Sequence, residues 1–134
     1  MGESRSELSP LVLLAEDDHD SREMYVFALE LAGFRTAQAC NGDEALARAA
    51  ALAPDVIVTD LNLPGVDGYQ LCERLKADPS TANTLLLALT GSSLEEDVER
   101  ARAAGCTRVL IKPFPPDHLG REISEVLAAR SSPS

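Results

Sequence analysis

Short apolar runs alternate with longer amphipathic stretches along the chain. Five of these runs have the length and composition expected of β-strands. They cover residues 10–16, 34–39, 55–59, 84–89 and 107–112. Strands that alternate with helices are typical of βα units built around a parallel sheet. The pattern therefore predicts a single α/β domain with five strands and five helices.

The second run, FRTAQA, differs from the other four because it mixes polar and apolar residues. The other runs are almost continuously apolar, which is typical of strands that are covered on both faces. We therefore expect residues 34–39 to form an edge strand. This arrangement fits the flavodoxin-like doubly wound fold, in which five parallel strands lie in the spatial order 2-1-3-4-5.

The first amphipathic stretch carries Met24, Phe27, Ala28 and Leu31 at helical spacing, and this spacing predicts the apolar face of the first helix. Gly33 follows directly and predicts the end of that helix.

The fourth helix is predicted to open with Ser93, because Glu96 follows three residues later as in a capping box. Its apolar face is thin and consists of Leu94, Val98 and Ala101. We therefore expect this helix to dock loosely.

The net charge is -10, from 22 acidic and 12 basic residues. This balance argues against nucleic acid or an anionic membrane as a direct partner, because both require a basic surface. No apolar segment approaches the ~20 residues that a membrane helix needs. The cysteines, Cys40, Cys72 and Cys106, are widely spaced and odd in number, which favours reduced thiols over a disulfide framework or a zinc site. We predict a cytoplasmic protein.

Polar residues end four of the five predicted strands. In open parallel sheets, ligands bind beyond the carboxyl ends of the strands, at the point where the strand order reverses. Here that point lies between strands 1 and 3. The residues at these ends are Glu16 and Asp17, Asp60, Thr90, and Lys112.

This set of side chains is suited to phosphoryl chemistry. Asp17 and Asp60, from adjacent strands, can share Mg²⁺, which proteins usually hold through a few carboxylates and several waters. Mg²⁺ bound in this way normally also takes phosphate oxygens, and a carboxylate can itself accept a phosphoryl group. Lys112 would balance the charge on the phosphoryl oxygens, and Thr90 could hydrogen-bond to them.

Four motifs occur in order along the chain: LLAEDD, VIVTDLNLPGVDGYQL, LALTG and VLIKPF. Together they resemble the receiver domain of two-component response regulators. The resemblance covers about residues 9–130, and we expect a flexible leader at 1–8 and a disordered tail at 131–134. It also implies a cis peptide bond between Lys112 and Pro113.

The resemblance implies a role for each site residue. Asp60 would be the phosphoacceptor, and Glu16 and Asp17 would bind Mg²⁺. Asn62 would add a backbone oxygen to the metal site. Thr90 would supply the switch hydroxyl, and Lys112 would contact the phosphoryl group.

The implied function is phosphoryl transfer to Asp60 from a phosphohistidine of a sensor histidine kinase or a histidine phosphotransfer protein. The domain would catalyse its own phosphorylation and dephosphorylation without being a classical turnover enzyme. A conformational change would then signal to a downstream protein, and we expect a monomer or weak dimer. One departure from the family is Val109, which stands where the family usually has a switching Tyr or Phe.

Three other functions are open from the residues. A phosphohydrolase of the haloacid dehalogenase type would need a second Asp two residues after the first, where this chain has Asn62. A flavin carrier would need a hydroxyl-rich loop after strand 1, where this chain has EDDHDS. The third is a receiver fold that binds proteins without being phosphorylated.

Overall fold

The computed structural model describes residues 9–131, with side chains described to residue 130. Five parallel strands form one sheet in the order β2-β1-β3-β4-β5. They are β1 (Leu11–Ala15), β2 (Arg35–Ala39), β3 (Val56–Asp60), β4 (Leu85–Thr90) and β5 (Arg108–Ile111). The helices between and after them are α1 (His19–Leu31), α2 (Gly42–Leu52), α3 (Gly68–Ala77), α4 (Glu95–Ala103) and α5 (Pro116–Ser131).

The predicted fold is confirmed, and each predicted strand boundary lies within one residue of the observed one. The predicted leader and the part of the predicted tail after Ser131 lie outside the described residues. None of the five helices in the described part of the chain combines the length and the apolar content needed to cross a bilayer.

The core consists of two apolar layers, one on each face of the sheet. Successive strand residues point to opposite faces, so that Val12 packs with α1 and α5 while Leu13 packs with α2, α3 and α4. Each fully buried Leu or Ile side chain contributes about 1.5–3 kcal/mol through removal of apolar surface from water. The central strands are therefore the rigid base on which the carboxyl-end residues are held.

The two edges of the sheet differ in how well their burial was predicted. β2 is mostly half-buried and lies at one edge, as its mixed composition predicted. β5 lies at the other edge, with only Leu110 buried and Ile111 exposed. The prediction that this run is covered on both faces is therefore wrong. Because β5 has a neighbouring strand on one side only, its apolar residues remain partly open to solvent.

The predicted apolar face of α1 is also wrong. Met24, Phe27 and Leu31 are 51%, 65% and 73% exposed. The buried residues of this helix are Tyr25, Val26 and Leu29. The helix carries two adjacent apolar stripes, and packing against β1 and α5 buries the stripe that includes Tyr25.

The start of α4 differs from the predicted capping box. The helix begins at Glu95, after Leu94, which makes no side-chain cap. Ser92 stabilises the turn instead: its hydroxyl donates to Asp97 Oδ2 over 2.6 Å and accepts from the Leu94 N–H over 3.2 Å. The thin apolar face was predicted correctly, since Ala101 is the buried residue of this helix.

Candidate functional site

An acidic cluster lies at the carboxyl end of β1 and β3. Glu16, Asp17 and Asp60 each place one carboxylate oxygen within 4.8 Å of the others. Glu16 and Asp60 are buried, and Asp17 is exposed. The order of the sheet explains the meeting, because β1 and β3 are paired neighbours whose ends coincide. Asp60 thus shares one site with Glu16 and Asp17, although it is distant from them in sequence.

The third acid of the run after β1 has a different role. Asp18 is the N-cap of α1, and its Oδ2 accepts a hydrogen bond from the Ser21 N–H over 2.9 Å. The hydrogen bonds from Ser21 lower the pKa of Asp18 below its ordinary value. Its own N–H donates to Glu16 Oε2 over 3.1 Å, which helps to hold the buried carboxylate in place.

Lys112 supplies the positive charge of the site. Its Nζ lies 2.7 Å from Asp60 Oδ2 and 3.0 Å from Glu16 Oε1. Burial disfavours the ammonium, but the hydrogen bonds to Asp60 and Glu16 outweigh burial and raise the pKa of Lys112 above its ordinary value. The lysine therefore remains charged throughout the neutral pH range.

Glu16 has the opposite balance. Burial raises the pKa of Glu16 above its ordinary value, and the hydrogen bonds from the Asp18 N–H and Lys112 offset only part of that effect. The nearby charge of Asp60 acts in the same direction as burial. The negative charges of Glu16 and Asp60 therefore repel each other, and a further cation would reduce this repulsion.

Both oxygens of Asp60 have partners. Oδ1 accepts from the Asn62 N–H over 2.9 Å, while Oδ2 pairs with Lys112. Gly68, the first residue of α3, packs closely against the main chain of Asp60, since a Cβ there would lie 2.5 Å from the Asp60 carbonyl oxygen. Glycine is required at this approach, which sets the path of the chain after β3. The side chain of Asn62 is exposed.

Thr90 ends β4, beside this cluster. It is buried, and its Oγ1 accepts a hydrogen bond from the Ser92 N–H over 3.0 Å. The Lys112 N–H donates to the Thr90 carbonyl over 2.7 Å, which ties the two strand ends together. The structure thus brings Glu16, Asp17, Asp60 and Lys112 into one site, with the Thr90 hydroxyl engaged in the adjacent loop. The Lys112–Pro113 peptide bond is cis, as the resemblance implied.

Two residues of α1 support the site and were not identified from the sequence. The hydroxyl of Tyr25 donates to the Phe114 carbonyl over 2.9 Å and so ties α1 to the segment after Lys112. Burial raises the pKa of Tyr25 above its ordinary value. Arg22 donates from its guanidinium to the Glu16 carbonyl over 2.9 Å. No local sequence signal marks these contacts, because each partner lies outside α1.

A groove of about 710 Å³ opens beside Lys112, between α1 and the segment from β5 to α5. We call it the α1 groove. Its walls are largely apolar and include Met24, Tyr25, Phe114 and Pro116. The exposed Phe27 continues the apolar face of α1 away from the site.

Comparison with known proteins gives a consistent result. The family model for the response regulator receiver domain matches residues 12–124. The DNA-binding dual master transcriptional regulator RpaA of Synechocystis sp. is 35% identical over 89% of this chain and 46% of its own length. The virulence sensor protein BvgS of Bordetella pertussis is 32% identical over 98% of this chain and 11% of its own length. This chain therefore spans about half or less of these curated relatives.

Among solved structures, the chemotaxis response regulator CheY4 of Vibrio cholerae superimposes with a TM-score of 0.83. It is 31% identical, and the match covers 88% of this chain and 98% of CheY4. This chain and CheY4 therefore share the same fold.

Proposed function

Because the chain belongs to the response regulator receiver domain family of two-component signalling, we propose that it accepts a phosphoryl group on Asp60. The donor is a phosphohistidine of a sensor histidine kinase or a histidine phosphotransfer protein. The observation that carries the proposal is the ion pair of 2.7 Å between Asp60 and Lys112, beside two further carboxylates. This arrangement offers a nucleophile with a fixed positive charge next to it.

We further propose that Mg²⁺ binds at the acidic cluster through Glu16, Asp17 and Asp60, with a backbone oxygen of Asn62. Carboxylate oxygens are the ligands that Mg²⁺ prefers, and three of them lie within 4.8 Å of one another. Three carboxylates face one ammonium in this site, so that a divalent cation would balance the remaining charge. When bound, Mg²⁺ would stabilise negative charge on the phosphoryl oxygens during transfer.

The protein's own residues carry out the transfer. A carboxylate oxygen of Asp60 attacks phosphorus, the O–P bond forms, and the N–P bond of the phosphohistidine breaks with its electron pair remaining on the imidazole. Lys112 moves from Asp60 Oδ2 to an oxygen of the incoming group. Since its pKa is raised, Lys112 acts as a fixed charge and not as a proton donor or base.

Thr90 supplies the first part of the conformational switch. Its hydroxyl turns from the Ser92 N–H to a phosphoryl oxygen, in a hydrogen bond to a charged group worth roughly 1.5–3 kcal/mol. A shift of population from 1:99 to 99:1 requires about 5.5 kcal/mol. Val109 has no ring that could add to the change, so Lys112 and ordering of residues 90–95 provide the remainder.

This view of the switch makes hydrogen exchange a direct test. Amide exchange across residues 90–95 should slow when the protein is phosphorylated, because the loop gains a contact to the phosphoryl group. Unchanged exchange in this segment, with phosphorylation verified in the same sample, would refute the proposed switch.

The direct partners are proteins in this proposal. The α1 groove lies next to Lys112, and its apolar walls together with Phe27 could bury one face of an amphipathic helix on a phosphodonor protein. A net charge of -10 disfavours direct contact with nucleic acid or an anionic membrane. A downstream protein would recognise the switched form of a monomer or weak dimer in the cytoplasm.

The experiment that tests the proposal is intact mass spectrometry after incubation with Mg²⁺ and acetyl phosphate. The expected result is a mass gain of one phosphoryl group, which disappears in Asp60→Asn. Asp117→Asn is the matched control, because Asp117 is an exposed acid outside the site. If the wild-type protein gained no mass, a protein-binding role without phosphorylation would replace the proposal.

A further inference from the structure

Two buried thiols face each other on the side of the sheet covered by α3 and α4. Cys72 lies on α3 and is fully buried, and Cys106 lies just before β5 and is 6% exposed. Their Sγ atoms are 3.4 Å apart. The third cysteine, Cys40, is exposed and lies elsewhere. The pair is distinct from the acidic cluster and shares no residue with it.

The backbone and a neighbouring lysine hold the pair in place. The Cys106 N–H donates to the Ala101 carbonyl over 3.1 Å. Gly105 precedes it with a φ of +112°, and a Cβ at that position would lie 2.6 Å from Lys76 Cγ. The Lys76 chain therefore lies against the turn that presents Cys106, and its ammonium donates to the carbonyls of Ala82 and Thr84.

We propose that Cys72 and Cys106 form a peroxide-oxidisable dithiol, which hydrogen peroxide converts into a disulfide that links α3 to the start of β5. The proposal is independent of the proposed phosphoryl transfer. It rests on the short sulfur–sulfur distance, on the burial of both thiols, and on the ordered surroundings of Cys106.

Cys106 is the sulfur that reacts first. The hydrogen bond from Cys72 lowers the pKa of Cys106, and the nearby charge of Lys76 acts in the same direction against the effect of burial. The pKa of Cys72 is raised, because its thiol shares a hydrogen bond with Cys106 and is buried. A thiolate is the nucleophile in thiol oxidation, and Cys106 is also the more exposed of the two residues, so that both its lower pKa and its exposure identify Cys106.

The reaction balances with peroxide as the oxidant. The Cys106 thiolate attacks one peroxide oxygen, the O–O bond breaks, and the leaving hydroxide takes up a proton to become water, which leaves Cys106 as a sulfenic acid. The sulfur of Cys72 then attacks the sulfur of Cys106, and the S–O bond breaks with release of a second water. Overall, two thiols lose two electrons and two protons, and one peroxide becomes two waters.

Burial selects the class of oxidant. A bonded sulfur pair is separated by about 2.05 Å, so the two atoms must approach by only a small distance. Peroxide is small enough to reach a thiol that is 6% exposed. A bulky disulfide such as oxidised glutathione must place its own sulfur in line with the attacking thiolate, and the burial of Cys106 disfavours that approach. The exposed Cys40 can react with either oxidant.

The disulfide would close a long loop that contains β4 and α4. A loop of this length loses considerable chain entropy in the unfolded state, which raises the thermal midpoint by about 10 °C. Amide exchange in α4 should also slow, because both ends of the loop become fixed to the core.

The test uses the full chain carrying Cys40→Ser, so that the pair provides the only thiols. Treatment with hydrogen peroxide should remove two hydrogen masses, join the peptides that contain Cys72 and Cys106, and raise the thermal midpoint by about 10 °C. Dithiothreitol should reverse all three changes. Oxidised glutathione should produce no adduct in this variant but should modify Cys40 in the wild-type protein.

Adding Cys72→Ser to this variant should abolish the loss of mass and the joined peptide. The peroxide dose is chosen as one that oxidises Cys40 in the wild-type protein. The inference is overturned if that dose oxidises Cys40 and leaves the pair unlinked, whether the pair remains reduced or Cys106 gains oxygen alone. Both results are read in a variant that retains the pair, so they do not depend on the folding of Cys72→Ser.

Discussion

The ends of β1 and β3 and the segment after β4 lie side by side, yet they are held in different ways. Glu16 and Asp60 are buried and share the ammonium of Lys112 at 3.0 and 2.7 Å. In contrast, α4 buries Ala101, and Leu94 at its start is 60% exposed. Charge pairing on central strands fixes the first region, and little apolar burial holds the second.

This difference indicates which region holds the reacting groups and which region changes conformation. Segments with little buried apolar surface open at a lower free energy than the core does. A rearrangement of α4 is therefore less costly than a rearrangement of the acidic cluster. In the proposed function, the chemistry occurs at the fixed end, and the response passes through the segment that moves most easily.

Removal of the shared ammonium should produce the largest effect. Lys112→Met should slow phosphorylation of Asp60 by acetyl phosphate about 100-fold, as expected for loss of one preorganised charge next to the reacting group. The measurement is the rate of mass gain at saturating Mg²⁺. Lys76→Met is the matched control, because Lys76 donates to main-chain carbonyls away from the site. Equal rates in the two variants would show that the charge of Lys112 has no special role.

Glu16→Gln should change stability in a direction that depends on pH and on metal. Burial raises the pKa of Glu16, so its contribution to stability is full below its ordinary value of 4.5 and is lost as the pH rises through the raised value. At pH 7 without metal, the variant should therefore have a higher free energy of unfolding than the wild type. The difference should vanish below pH 4.5.

In Mg²⁺ the wild type should instead be more stable than the variant. A metal ion that binds the native state stabilises it, and the variant lacks one of the proposed metal-binding carboxylates. Urea unfolding with Mg²⁺ and with a chelator measures both effects. A wild-type protein that is unaffected by millimolar Mg²⁺ would remove the support for a metal at Glu16.

Tyr25→Phe should have a smaller effect. The substitution removes only the hydroxyl that donates to the Phe114 carbonyl, and one such hydrogen bond is worth about 1 kcal/mol of unfolding free energy. Tyr69→Phe is the control, since the ring of Tyr69 stacks under Arg100 at 3.9 Å and remains in the variant. If urea unfolding gave the same midpoint for both variants, the contact between α1 and the segment after β5 would not matter for stability.

Leu94→Ser should have the smallest effect. Because Leu94 is exposed, its replacement should change the free energy of unfolding by less than about 0.5 kcal/mol. A loss above about 1 kcal/mol in urea unfolding would indicate that the start of α4 is packed more tightly than its exposure suggests.

The sequence predicted the strands and the site for a shared reason. Strands buried on both faces form continuous apolar runs, so their ends can be located closely, and in a parallel sheet those ends converge. The positions of Asp60 and Lys112 at the carboxyl ends of two parallel strands were therefore sufficient to predict that both residues lie in one site. The geometry agrees, since the two residues are bonded across 52 positions of sequence.

The errors arose where tertiary contacts choose between local alternatives. α1 offers two apolar stripes, and only packing against β1 and α5 selects the one with Tyr25. The contact of Tyr25 with Phe114 spans 89 positions and has no local signal. At α4, the hydrogen bond from Ser92 to Asp97 replaced the predicted cap at Ser93. β5 lies at the edge that the predicted strand order gave it, but its apolar composition wrongly indicated cover on both faces.

The most direct measurement is chemical trapping of the phosphorylated residue. The protein is treated with acetyl phosphate in Mg²⁺ or in chelator, reduced with sodium borohydride to convert an aspartyl phosphate into homoserine, and mapped by peptide mass. We expect conversion at Asp60 alone, and only when Mg²⁺ is present. Conversion at Asp17 or Asp18, or equal conversion in chelator, would contradict it.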